Sequence, residues 1–225
     1  MKRQFILLLV FALVLNSCKD SKKEVQKLDT EDQQTIKKQL AKVTEENFDI
    51  RNDSLIFKSA TIENFDKDGN SIDVYWIGKK RDTVLRFYRK YDYNMKLIGA
   101  EYYEEDDIEP SRDTVYTDME GNRVEASLNT DNQIRWKSTI HQDVNGNDVL
   151  MAYSNGKGEY RGFDSLYYDN KNRVIKGFYE NSKGKRYSTK TYRYLKTDDY
   201  DNWIERHMLK NDTLSQKQLR TLVYY

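Results

Sequence analysis

From about residue 50 onward, apolar and polar side chains alternate with a period of two, the spacing of half-buried strands. Ile72, Val74 and Trp76 fall on one face, with Ser71, Asp73 and Tyr75 on the other. Ile134, Trp136 and Ile140 share a face opposed by Arg135 and Lys137, and Leu219, Thr221, Val223 and Tyr225 read as a last strand. Two stretches depart from this alternation. Phe5 to Leu15 is an unbroken apolar run of eleven residues. A membrane-spanning helix needs ~20 such residues, so the run is too short to span and has the length of a secretory signal core. Further on, Thr30 with Gln33 reads as a capping box, and Ile36, Leu40 and Val43 follow at helical spacing. That pattern predicts one short helix through about residue 45, serving either as a stalk or as a cover on the edge of the following domain.

The alternating region is repetitive. An aromatic or apolar residue, then aspartate, then a Gly- or Asn-containing turn, then Ile or Val recurs along it. Copies begin at Phe65, Tyr116, His141, Tyr168 and Asp199, with a degenerate one at Tyr91. Taking Asn70, Met95, Asn122, Asn147, Asn172 and Asn202 as equivalent, the intervals are 25, 27, 25, 25 and 30 residues. Each unit has the chemistry of a β-hairpin, because Gly and Asn reach the positive φ of tight turns at little steric cost. Six units of two strands predict about twelve strands, more than a flat open sheet holds without curling or splitting. The expectation is an all-β fold, an antiparallel meander of repeated hairpins in a single-layer or coiled sheet, with a sandwich or closed barrel as alternatives. The boundaries expected are 1–17 for a signal peptide, 18–50 for a tether and short helix, and 51–225 for the hairpin domain.

The residues after the apolar run are Leu15-Asn16-Ser17-Cys18, preceded by Lys2 and Arg3 at the N-terminus. A branched apolar residue at −3, a small one at −1 and then cysteine resembles the lipobox of bacterial lipoproteins. That resemblance implies cleavage before Cys18 and acylation of its sulfur, palmitate-type chains included. Two or more acyl chains hold a protein stably on a membrane, at about 0.8 kcal/mol per buried methylene. Lys19 is not the acidic residue associated with inner-membrane retention, so the resemblance favours the outer membrane, facing either the periplasm or the surface. From Lys19 to about Asp29 the chain is charged and free of aromatics, as a solvated tether is.

The whole chain carries 38 Lys and Arg against 37 Asp and Glu. Removing residues 1–17 leaves 36 basic against 37 acidic residues, a net −1. Such a balance lacks the basic excess of a nucleic-acid binder. One cysteine makes no internal disulfide, and two histidines are poor material for a zinc site. Tyrosine is abundant, at 18 residues.

The Tyr-Asp and Asn-Arg-Val pattern, best seen in Tyr168-Asp169-Asn170-Lys171-Asn172-Arg173-Val174, resembles the YD repeats of bacterial RHS-type proteins. That resemblance covers roughly residues 60–225 and implies hairpins wound into a β-sheet. The units here are longer than the family's, and the array is too short to enclose a cargo. Asn155-Gly156-Lys157-Gly158-Glu159-Tyr160-Arg161-Gly162-Phe163 is similar to a single MORN repeat, which is also a hairpin module.

Candidate chemistry is sparse. Asp66-Lys67-Asp68-Gly69-Asn70 and Asp143-Val144-Asn145-Gly146-Asn147 offer clustered oxygens, yet position twelve from each is Ile77 or Ser154 where an EF-type calcium loop needs glutamate. A hairpin turn uses the same residues, and no metal or cofactor is expected. Glu104-Glu105-Asp106-Asp107 and Glu109 read as a solvated loop, and His141 with Asp143 lacks a nucleophile elbow. The aromatics are the leading candidates for ligand contact: Trp76, Trp136, Tyr153, Tyr168, Tyr179 and Trp203. Rows of such side chains on a sheet make stacking platforms for sugars or anchors for a protein partner, and cross-strand aromatic pairs also hold hairpins together. The expected function is a non-enzymatic, lipid-anchored envelope module that binds a protein or glycan. The alternatives are a glycan-active enzyme with carboxylates such as Glu101 or Asp164 in a groove, and an immunity-type lipoprotein.

Overall fold

A computed structural model describes residues 38–104, 110–129 and 131–225. The described chain is fourteen β-strands in an unbroken antiparallel meander. In order they are β1 Leu40–Arg51, β2 Ser54–Phe65, β3 Ser71–Ile77, β4 Thr83–Tyr91, β5 Leu97–Glu104, β6 Ser111–Thr117 and β7 Arg123–Leu128. There follow β8 Ile134–Gln142, β9 Asp148–Asn155, β10 Tyr160–Tyr168, β11 Val174–Asn181, β12 Arg186–Thr197, β13 Trp203–Lys210 and β14 Thr213–Tyr224. Each strand pairs with its sequence neighbours, and β1 pairs with β14, so the sheet closes into a barrel. Closure satisfies both edges of the sheet with backbone hydrogen bonds, which an open meander leaves exposed.

The all-β meander agrees with the alternation in the sequence. The short helix does not. Leu40 and Val43 lie in β1, whose residues pair with β14 on one side and β2 on the other. Two ladders outweigh one apolar stripe, because helix propensity is a weak prior against tertiary pairing. Thr30 and Ile36 lie outside the described residues, as do the leader, Cys18, and Glu105 to Glu109. The strands therefore begin at Leu40, ahead of the expected boundary at 51, and number fourteen where six hairpins predicted twelve.

Six turns, all at one end of the barrel, share one hydrogen-bond scheme. They join β2 to β3, β4 to β5, β6 to β7, β8 to β9, β10 to β11 and β12 to β13. Each opens on an aspartate: Asp66, Asp92, Asp118, Asp143, Asp169 or Asp198. In each, the aspartate amide donates to the carbonyl four residues on, and one carboxylate oxygen accepts the amides two and four residues on. The residue three after the aspartate takes positive φ: Gly69, Met95, Gly121, Gly146, Asn172 and Asp201. Met95 and Asn172 thus occupy the positive-φ position, whereas Asn70, Asn122, Asn147 and Asn202 stand one place later. Counted from the aspartates, the intervals are 26, 26, 25, 26 and 29.

At the opposite end the same scheme is built on asparagine, at Asn129, Asn155 and Asn181. The turns after β1 and β13 there are tight two-residue connections, Asn52-Asp53 and Asn211-Asp212, all four residues at positive φ. One rim is capped by carboxylates, and three described turns of the other by amides.

Tyrosines tie adjacent hairpins together near the aspartate rim. The hydroxyl of Tyr91 donates to the Ser71 carbonyl (2.7 Å), that of Tyr168 to Asp148 (3.0 Å) and that of Tyr194 to Val174 (2.9 Å). Each reaches back 20 residues, to the first residue of the strand that follows the preceding aspartate turn.

Candidate functional site

Directly opposed residues in an antiparallel ladder point to the same side, so the registers sort side chains into two faces. Trp76 opposes Leu85; Phe87 opposes Tyr102; Asp113 opposes Ser127; Ser127 opposes Trp136. The same face continues through Ser138 opposite Tyr153, Asp164 opposite Tyr179, Tyr179 opposite Tyr187, and Tyr194 opposite Arg206. Tyr168 and Trp203 stand beside Tyr194 on this side. All six aromatics singled out in the sequence therefore occupy one face of the barrel wall.

Their surroundings differ. Trp76 is 52% exposed and Trp136 40%, so their rings are open to contact. Trp203 is 6% exposed, its ring covered by the guanidinium carbons of Arg206 at 4.0 Å and Arg220 at 3.7 Å and met edge-on by Tyr194. Tyr153 donates to Asp164 Oδ2 (2.6 Å) and packs on Tyr179, whose hydroxyl donates to the Arg161 carbonyl (3.0 Å). Burial, together with its hydrogen bond to Asp164, pushes the Tyr153 phenol well above its ordinary range. At the aspartate rim, Tyr168, Leu166, Val149, Asp143, Asp169 and Asn172 help line an open cleft of about 480 Å³.

A charged cluster around Trp203 escaped sequence reasoning. The Glu45 carboxylate receives Arg220 through Nε and Nη2, both at 2.9 Å, and lies 3.5 Å from Arg206 Nη2. Arg206 Nε donates to Gln218 Oε1 (2.6 Å), and Gln218 donates in turn to Asn47. Desolvation lowers the Arg220 pKa, and Glu45 opposes that shift. These residues are brought together by closure of β1 on β14, across more than 160 positions of sequence, so no local spacing signalled them. Asp113 was also missed: it faces Ser127, and burial raises its pKa.

The carboxylates considered for catalysis do not converge. Glu101 opposes Arg112 and takes a hydrogen bond from Lys90 (2.6 Å). Followed through Thr114, Ala126, Lys137, Ala152 and Phe163, that face is the one opposite to Asp164. A wall of sheet separates Glu101 from Asp164. His141 opposes Leu150, and the Asp143 carboxylate is engaged by its own turn. Among the described residues no group of three His, Cys, Asp or Glu is placed to hold a metal ion. Both faces carry charge in mid-wall: Glu45, Glu125, Asp164 and Arg206 on the aromatic face, Arg86, Glu101, Lys137 and Lys217 on the other.

Comparison with known proteins adds little. No protein-family model and no curated protein matches the chain. Among solved structures, it is similar to a porin-like protein from Bacteroides uniformis ATCC 8492, at 10% identity and a TM-score of 0.42, covering 82% of this chain and 98% of that one. A DUF1329 family protein from Desulfovibrio piger ATCC 29098 is similar at 11% identity and a TM-score of 0.34, covering 82% and 86%. Neither likeness is close enough to carry a residue or a role to this chain.

Proposed function

We propose that this chain is a lipid-anchored protein of the cell envelope, held on the outer membrane through Cys18, whose barrel binds a protein or glycan partner at its aromatic face. The observation that carries the binding role is the collection of Trp76, Trp136, Tyr153, Tyr168, Tyr179 and Trp203 on one face, with Trp76 and Trp136 left open. Glu101 and Asp164 lie on opposite faces, so these two do not form the carboxylate pair that glycoside hydrolysis needs. The likeness to YD repeats is kept as part of this reading, and the backward-reaching tyrosine hydroxyls give its Tyr-Asp pairs a physical role.

The wall itself argues for anchoring by lipid. A barrel that spans a bilayer shows hydrocarbon an apolar face, where each Arg or Lys at the midplane costs ~2–4 kcal/mol. Among the described residues neither face is apolar, which supports attachment through the N-terminal lipid.

The test is capture of envelope proteins and a glycan panel by the immobilised full chain, compared with the Trp76→Ala/Trp136→Ala variant. A partner held by exposed tryptophans loses ~2–4 kcal/mol per hot spot, enough to abolish retention. Equal retention by both proteins would remove the aromatic face from the binding site. Recovery of shortened glycan would overturn the binding-module reading in favour of an enzyme.

A further inference from the structure

The two rims differ in what their turns present. In the aspartate rim, the residue after the turn aspartate is Tyr93, Met119 and Val144 in three consecutive hairpins, and all three are fully exposed. Met95 beside them is also open. The corresponding positions in the other three turns of that rim are Lys67, Asn170 and Asp199. At the asparagine rim the described turn tips are polar throughout, among them Lys79, Lys80, Asp131, Lys157 and Lys183. Apolar tips thus form one arc, on one rim.

That rim is also where the N-terminal segment joins the barrel. β1 starts at Leu40 and runs toward the Asn52-Asp53 turn of the other rim, so its start lies at the aspartate end. A β-carbon on Gly69, in the first aspartate turn, would lie 2.6 Å from Gln39 Nε2, which fixes the entry point beside the turns. Between Cys18 and the first described residue, Lys38, stand residues 19–37. Even fully extended, nineteen residues reach no more than about 65 Å. Fourteen strands about 4.8 Å apart, tilted by roughly 40°, give a barrel about 28 Å across. Whatever holds Cys18 is thus joined to the barrel at its aspartate rim, by a chain of bounded length.

We infer that the arc of Tyr93, Met119 and Val144 rests on the lipid surface, with the aspartate rim turned toward the bilayer and the asparagine rim away from it. This orientation rests on the lipid-anchor reading above. Tyrosine at such a tip offers an apolar ring with a polar end, the combination favoured at membrane interfaces. The remaining carboxylates of the rim stay hydrated around an arc that only touches the interface.

The experiment places a polarity-sensitive fluorophore on Val144→Cys or on Lys157→Cys in the full-length lipidated protein, whose own thiol is blocked by acylation. The proteins are reconstituted on zwitterionic phosphatidylethanolamine/phosphatidylcholine vesicles, with and without brominated acyl chains. Loss of fluorescence to the brominated lipid at 144 but not at 157, relieved by Tyr93→Ser/Met119→Ser, is the expected result. Co-flotation with vesicles but equal response at both positions would overturn the orientation and leave the anchor standing. Failure to co-float at all would remove the anchor and the orientation together. Concentration-dependent shielding of 144 from an aqueous quencher without vesicles would make a second copy the occupant, and would also overturn it.

Discussion

Glu45 faces two guanidinium groups, with Arg206 and Arg220 stacked over the buried ring of Trp203 between them. Its carboxylate joins the first strand to the last two and offsets part of the positive charge drawn into the wall. Removing one partner of such a cluster costs more than the net worth of the pair, because the remaining charges lose their compensation. Glu45→Ala should therefore lower stability by roughly 2–3 kcal/mol, the lower end being apt for side chains that keep some solvent contact. Urea denaturation monitored by tryptophan fluorescence would measure it, and an unchanged midpoint would show that the arginines find other partners. Residue-level reading of the sequence picked out Trp203 by its type. It could not anticipate the arginines, since their approach depends on a pairing between the two ends of the barrel.

At the level of elements, the rims respond differently to acid. Hydrogen bonds from the Asn70 side chain and amide hold Asp66 below its ordinary 3.8, and the Asn122 amide does the same for Asp118. The Asn147 side chain and amide lower Asp143. For Asp169 and Asp198 burial pulls upward, and is outweighed by Arg173 with its amide and by Tyr224 with the Asn202 amide. A depressed folded pKa means stability that is present above the unfolded value and lost as pH falls through the folded one. As pH falls below the ordinary carboxylate value, the turns of Asp66, Asp118, Asp143, Asp169 and Asp198 should loosen while the asparagine turns, which carry no titrating cap, stay closed. Hydrogen exchange would report this as falling protection at Asn70, Asn122 and Asn147 with protection at Gln133, Glu159 and Lys185 retained. Equal loss at both rims would contradict it. The turns were legible from Asp, Asn and Gly alone; their alignment was not. Met95 and Asn172 entered the repeat one position early because the sequence marks the turn chemistry, whereas the hydrogen bonds mark which residue takes positive φ.

For the whole molecule, the lipid anchor and the barrel are separable claims. Cys18→Ala should move the protein out of the membrane fraction without altering its far-ultraviolet circular dichroism, because no described part of the barrel includes that residue. A mutant still held by membranes would refute attachment through Cys18. The strand content followed from period-two alternation, which is a local property. Closure did not follow, because a meander looks the same in sequence whether its ends meet or not. The helix expected through residue 45 failed in part for the same reason: β1 pairs with β14, distant in sequence, as well as with β2. That dependence also sets an order of events during folding. Hairpins can form one after another as each emerges, since their contacts are local and quick to find. The joint between β1 and β14 has to wait for the last strand, with Gln216, Gln218 and Arg220 reaching partners 167 to 175 positions earlier. Until then the nascent sheet has two raw edges and a pair of arginines without their Glu45 partner, so the slow step should be this final closure, and it is there that aggregation would begin.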